Sequence, residues 1–156
     1  MIKLYKFINN ELHYWETWND DKNTMTVHWG IVGERGQYRD VNLFSGRKEV
    51  KKELEDKIKE GYREFEEDEM AFLEVIYTIN DFGTEQYLEK RHELEEYLNE
   101  LLGWTGLGHV DGGSIGSGTM EVDCLVVDFD MAKKVIENDL KNTIFGDYLD
   151  ICKMEE

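Results

Sequence analysis

The sequence predicts an α+β protein in two parts: an antiparallel sheet with one packed helix, then a strand, helix, strand, strand, helix, strand unit. Three observations carry this. Short segments with period-two apolar alternation are interleaved with segments whose apolar residues recur every three or four positions. Charge is unevenly divided: residues 1–69 hold 12 basic and 16 acidic side chains, while residues 70–156 hold 6 and 19, nets of −4 and −13. There is no proline among the 156 residues, so glycine, Asn and Asp must make the turns. An acidic run, Glu64 and then 66–69, marks the border. We expect one domain over 1–68 and an acidic α+β domain over 70–156.

In the first part, residues 4–8 read as a strand, followed by the turn pair Asn9 and Asn10. Residues 13–18 are aromatic and β-prone, and 20–23 make the next turn. Residues 24–29 alternate, with Met25, Val27 and Trp29 on one side and Thr24, Thr26 and His28 on the other. Gly30, Gly33 and Gly36 then break the chain, and 38–44 read as a strand. Ser45 is placed to cap a helix running to about Arg63, with Val50, Leu54 and Ile58 as its inner stripe.

In the second part, residues 71–79 alternate Leu73, Val75, Tyr77 and Ile79 as a strand. Thr84 is placed to cap a helix to Leu102, with Leu94, Leu98 and Leu101 inward. Residues 103–118 hold 7 of the 14 glycines and must contain an irregular strand and a turn. Residues 120–129 are the most β-prone segment, 130–141 are helical, and 148–152 make a short last strand. This order resembles a ferredoxin-like sandwich, with helices on one face of a four-stranded sheet.

One motif stands out. Around residue 29 the chain reads His28-Trp29-Gly30-Ile31-Val32-Gly33-Glu34-Arg35-Gly36-Gln37. Upstream lies Tyr14-Trp15-Glu16-Thr17-Trp18, and downstream Lys59-Glu60-Gly61-Tyr62. Together, over about residues 1–66, these resemble the WGR domain. WGR domains occur in poly(ADP-ribose) polymerases, where they contact DNA near a strand break, and in bacterial proteins linked to molybdate-metabolism regulation. The resemblance implies a non-enzymatic binding module in which Trp29, beside Gly30 and Gln37, packs against a sugar or base at a strand end. Such stacking is worth about 1–3 kcal/mol per base. The motif's arginine is Ile31 here, and isoleucine cannot donate to a phosphate. Residues 35–63 hold nine basic and six acidic side chains, so Arg35, Arg39, Lys48 and Lys52 are candidates for a compensating phosphate-facing patch. Read from the residues alone, Trp29 equally closes a small core beside Trp15 and Trp18. The helix charges equally form a solvated face with pairs such as Glu55 and Lys59.

The rest of the chemistry is sparse. Gly112-Gly113-Ser114-Ile115-Gly116-Ser117-Gly118 is followed by a strand and lies near Asp111, Glu121 and Asp123, so it reads as a hairpin turn and not a phosphate loop. His109, Asp111, Glu121 and Asp123 together could hold a cation or do acid–base work, but their spacing reads as a polar sheet face, and no metal, cofactor or catalytic residue is expected. Glu85, Glu89, Glu93, Glu96 and Glu100 form a single-sign helical stripe, either a solvated face or a docking surface for a basic protein partner. That second option is the alternative functional reading: an acidic protein-binding module of the inhibitor or immunity type. The formal net charge of −17 excludes a classical basic nucleic-acid protein and disfavours anionic membranes, so any binding to nucleic-acid ends is expected to be weak. No apolar run is long enough to span a bilayer, and Lys3 and Lys6 are not followed by the apolar core of a signal peptide. Cys124 and Cys152 lack a CxxC spacing and read as reduced core residues of a cytoplasmic chain.

Overall fold

The computed structural model describes residues 1–80 and 84–154. The chain divides into two compact units, Met1–Glu66 and Glu67–Glu156. Each is an antiparallel four-stranded sheet with helices, so the α+β class read from the sequence holds.

The first unit is a meander of β1 (Ile2–Ile8), β2 (Glu11–Asn19), β3 (Thr24–Ile31) and β4 (Gln37–Asn42), with strands neighbouring in chain order, followed by α1 (Arg47–Glu60). Asn9 and Asn10 have φ of 53° and 68°. Two consecutive left-handed residues make the type I′ turn whose twist matches a two-residue hairpin. Its register puts Leu4 opposite Trp15, and the β2–β3 register puts Trp15 opposite Trp29. These pairs share the face that α1 covers. Leu4, Trp15, Val27, Val50 and Tyr62 form the core, with Met25, Trp29, Val41 and Leu54 packed around it.

Two details of α1 differ from expectation. Ser45 does not cap the helix, which begins after Gly46 without a side-chain cap. Asn42 organises the turn instead: its Oδ1 accepts the backbone N–H of Phe44 and of Ser45. Ile58 is 55% exposed. A strict i+4 stripe rotates about 40° per step at 3.6 residues per turn, so by the third position it has turned away from the sheet. Tyr62, just beyond the helix, takes that place in the core.

The second unit contains β5 (Ala71–Thr78), α2 (Glu85–Trp104), β6 (Gly108–Ile115), β7 (Thr119–Val126), α3 (Phe129–Leu140) and β8 (Asp150–Met154). The strand order is β6-β7-β5-β8, all antiparallel. Each helix therefore connects two strands separated by a third, giving two interleaved strand–helix–strand crossovers. Leu73, Val75 and Tyr77 of β5 lie opposite Cys124, Val122 and Met120 of β7. All six are buried, as are Leu94, Leu98, Leu101 and Leu102 of α2 and Ala132, Ile136 and Leu140 of α3. The buried Tyr77 hydroxyl donates to the Phe145 carbonyl at 2.7 Å, so its polar end is satisfied. The glycine-rich segment is β6 and its turn into β7, with a register break between Val110 and Gly112 at Asp111. No helix follows it, as its hairpin reading required. Among the described residues, no helix is long and apolar enough to cross a membrane.

Candidate nucleic-acid interface

The end of the β3–β4 pair brings four of the sequence-nominated residues together. Trp29 lies opposite Gln37 in register, Gly30 follows it in β3, and the Arg39 guanidinium sits 5.8 Å from the Trp29 ring centroid. Trp29 is half-buried and packs on the core, so the core role read for it and its place at the strand end coexist. Arg39 forms a close ion pair with Glu53 of α1 and reaches Glu49 at 3.7 Å. Glu53 also accepts the Trp15 indole N–H at 2.9 Å. Burial alone would raise the Glu53 carboxyl. The Arg39 guanidinium and the Trp15 N–H outweigh this and hold it below the usual carboxylate range. Arg39 thus ties the edge strand to the helix, and its charge is largely spent within the unit.

The other nominated cations are free to face solvent. Arg35 is exposed on the 33–36 loop, and Lys48 and Lys52 are exposed one turn apart on α1. Ile31 ends β3 half-buried opposite His13.

The opposite face of this sheet holds an arrangement that the sequence reading missed. Glu16 and His28, opposite one another across β2 and β3, are 2% and 0% exposed. His28 Nδ1 is 3.1 Å from Glu16 Oε2, and Nε2 is 2.6 Å from the Arg35 carbonyl oxygen. The Tyr14 hydroxyl, 3.2 Å from His28 Nε2, donates to the Glu34 carbonyl at 2.9 Å. Burial, followed by Glu16 and Glu34, raises the Tyr14 phenol so that it stays protonated and donating. The loop can lie this close because of its glycines. A Cβ on Gly30 would come 2.8 Å from Gly36 Cα.

In the second unit, Glu85, Glu89, Glu93, Glu96 and Glu100 are all exposed along α2. The residues nominated around the glycine-rich hairpin do not form one cluster. His109 and Asp111 are exposed. Glu121 accepts from the Ser114 hydroxyl at 3.0 Å and the Thr119 hydroxyl at 3.3 Å. Among the described residues no group of three or more His, Cys, Asp or Glu side chains is arranged to hold a metal ion. Cys124 is buried, and burial, then Asp123, Asp111 and Glu95, push its thiol up to about 12. Cys152, expected in the core, lies half-buried on edge strand β8, because its position in the pleat faces away from Ile151 and the helices.

Asp123 lies opposite Glu74 of β5 on the open sheet face, with Glu121 two residues along β7. Burial, a hydrogen bond with Asp123 and the charges of Glu121 and Asp123 raise the Glu74 carboxyl to about 7. Asp123 Oδ1 is buried without a hydrogen-bond partner among the described residues, so this pair of carboxyls is the place where a shared proton relieves most strain. The unfolded chain would release it near the ordinary carboxyl value of about 4.3. The proton is therefore bound by the folded state alone between that value and about 7, and its stabilising contribution fades as pH rises through the window. Glu74→Gln is expected to remove this part of the pH dependence. In thermal melts, the variant should gain on the wild type from pH 5 to about pH 7 and level off above it; parallel curves would refute the shared proton.

No protein-family model, curated protein or solved structure matches the chain.

Proposed function

We propose that the first unit is a WGR-type, non-enzymatic module that captures a nucleic-acid end weakly, with a role in nucleic-acid-linked regulation. The observation that carries this reading is the juxtaposition of Trp29, Gly30, Gln37 and Arg39 at the end of the β3–β4 pair. An aromatic beside the edge strand of its sheet, and exposed cations in the same unit, are the parts a stacking site needs. Because Arg39 is engaged by Glu53, phosphate contact falls to Arg35, Lys48 and Lys52. Three such contacts give a log–log salt slope of only about −3 on duplex DNA. Fluorescence anisotropy of the full chain with single-stranded, nicked and blunt oligonucleotides should show binding at low salt that is lost near physiological salt. Lys48→Glu with Lys52→Glu should abolish it, and binding indifferent to these charges would overturn the reading.

One observation favours a second reading. The five α2 glutamates are uniformly exposed, in a half of net charge −13, as a steering surface for a basic protein requires. Absent oligonucleotide binding, together with salt-sensitive binding of a lysine-rich peptide lost on Glu89→Lys with Glu93→Lys, would select it.

A further inference from the structure

We propose that His28 carries a proton on both ring nitrogens and works as a proton-operated latch, bridging Glu16 to the Arg35 carbonyl and so holding the 33–36 loop on the sheet. The geometry of the acceptors carries this. A carbonyl oxygen can only accept, so the 2.6 Å contact requires a proton on Nε2. Nδ1 faces the Glu16 carboxylate at 3.1 Å, and both side chains are buried. The Tyr14 hydroxyl does not compete as a donor to Nε2, because it is committed to the Glu34 carbonyl. Each ring nitrogen therefore looks at an acceptor, which is the pattern an imidazolium satisfies.

The surroundings are consistent with one positive charge on the ring. On β1, Lys3 lies opposite Glu16, and Tyr5 lies beside it with the Lys3 ammonium 5.9 Å from its ring. On β2 the groups are Tyr14 and Glu16, and on the loop Glu34 and Arg35. On β4, Tyr38 lies opposite His28, and Asp40 accepts from Thr26 at 2.8 Å. Burial lowers the Lys3 ammonium while the Glu16 charge raises it, so Glu16 serves two cations at once.

Removing the ring proton has a definite direction. A bare nitrogen lone pair facing the carboxylate would be repelled more strongly than one facing a neutral carbonyl. The remaining proton stays on Nδ1, and the bond to Arg35 is the one that breaks. The Tyr14–Glu34 contact still ties the loop to this cluster. The latch stands whether or not nucleic acid is the ligand, but the loop it holds presents Arg35 and leads into Gln37.

The test is NMR of the full chain with labelled histidine. At neutral pH both ring nitrogens of His28 should show protonated-type shifts. On raising pH, loss of the ring proton and movement of the Arg35 carbonyl carbon shift should share one midpoint. In His28→Gln, whose amide donates but does not titrate, the Arg35 carbonyl shift should be flat over the same range. A bare ring nitrogen on wild-type His28 at neutral pH would overturn the proposal, as would ring titration that leaves the Arg35 carbonyl unmoved. The wild-type measurement decides even if the variant fails to fold.

Discussion

Trp15→Ala is expected to unfold the first unit or leave it barely folded at room temperature. Trp15 is 1% exposed and lies between Leu4 and Trp29 across two strand pairs. Truncating a buried tryptophan to alanine costs about 3–5 kcal/mol, since the cavity term adds to the lost transfer energy. That is comparable with the whole stability of many small domains, about 5–15 kcal/mol. Trp15 also donates to Glu53, which holds Arg39. The loss should therefore reach the β3–β4 end as well as the core. Trp15→Phe separates the two effects: it keeps most of the apolar volume and removes the N–H donor. Urea titrations of the full chain, followed by tryptophan fluorescence and far-ultraviolet circular dichroism, should show a large fall in midpoint for alanine and a small one for phenylalanine. Equal midpoints for Trp15→Ala and the wild type would mean that the core is elsewhere.

What could be read in the sequence was what depends on local chemistry. Asn9 and Asn10 announce a tight turn because two left-handed residues are needed there, and Met25, Val27 and Trp29 share the core-facing side of their strand. The α2 stripe of Leu94, Leu98 and Leu101 is likewise buried. What could not be read depended on what covers each face. The alternation puts His28 on the polar side of its strand, on the other face from Val27 and Trp29, and it does lie there. That side is buried, because the 33–36 loop folds back over it. The turn over 20–23 did not give the Glu16–His28 pair. Placed symmetrically it would pair positions that sum to 43 and set Glu16 opposite Val27, whereas Asn19 faces Met25 and the sum is 44. Nor can register alone distinguish an exposed cross-strand pair from a buried one. The partners of Arg39 were also hidden, because its pairing with Glu53 spans strand and helix. A count of nine cations against six anions treats as available a charge that the fold has already used.

Gly36→Ala should be the most costly single-methyl change in the motif region, and its cost should not depend on the flexible side chain beside it. Gly36 has φ +68°, a left-handed conformation that costs an L-residue roughly 1–2 kcal/mol. A Cβ there would lie 2.2 Å from the Trp29 carbonyl oxygen and 2.4 Å from the Tyr14 hydroxyl. The first neighbour is backbone of β3 and cannot step aside, so the loop itself must lift. Overpacking of this kind adds about 1–3 kcal/mol. The sum, about 3 kcal/mol, should lower the thermal midpoint by well over ten degrees, at the roughly 4–8 °C per kcal/mol typical of domains of 60–100 residues. Lifting the loop would also pull the Arg35 carbonyl away from His28. Tyr14→Phe removes the second neighbour, and with it the bond to the Glu34 carbonyl. If the Trp29 carbonyl is the decisive obstacle, Gly36→Ala should remain as damaging in the Tyr14→Phe background as in the wild type. Thermal melts of the two single variants and the double variant measure this coupling. Substantial rescue by Tyr14→Phe would show that the hydroxyl, and not the strand backbone, sets the requirement for glycine.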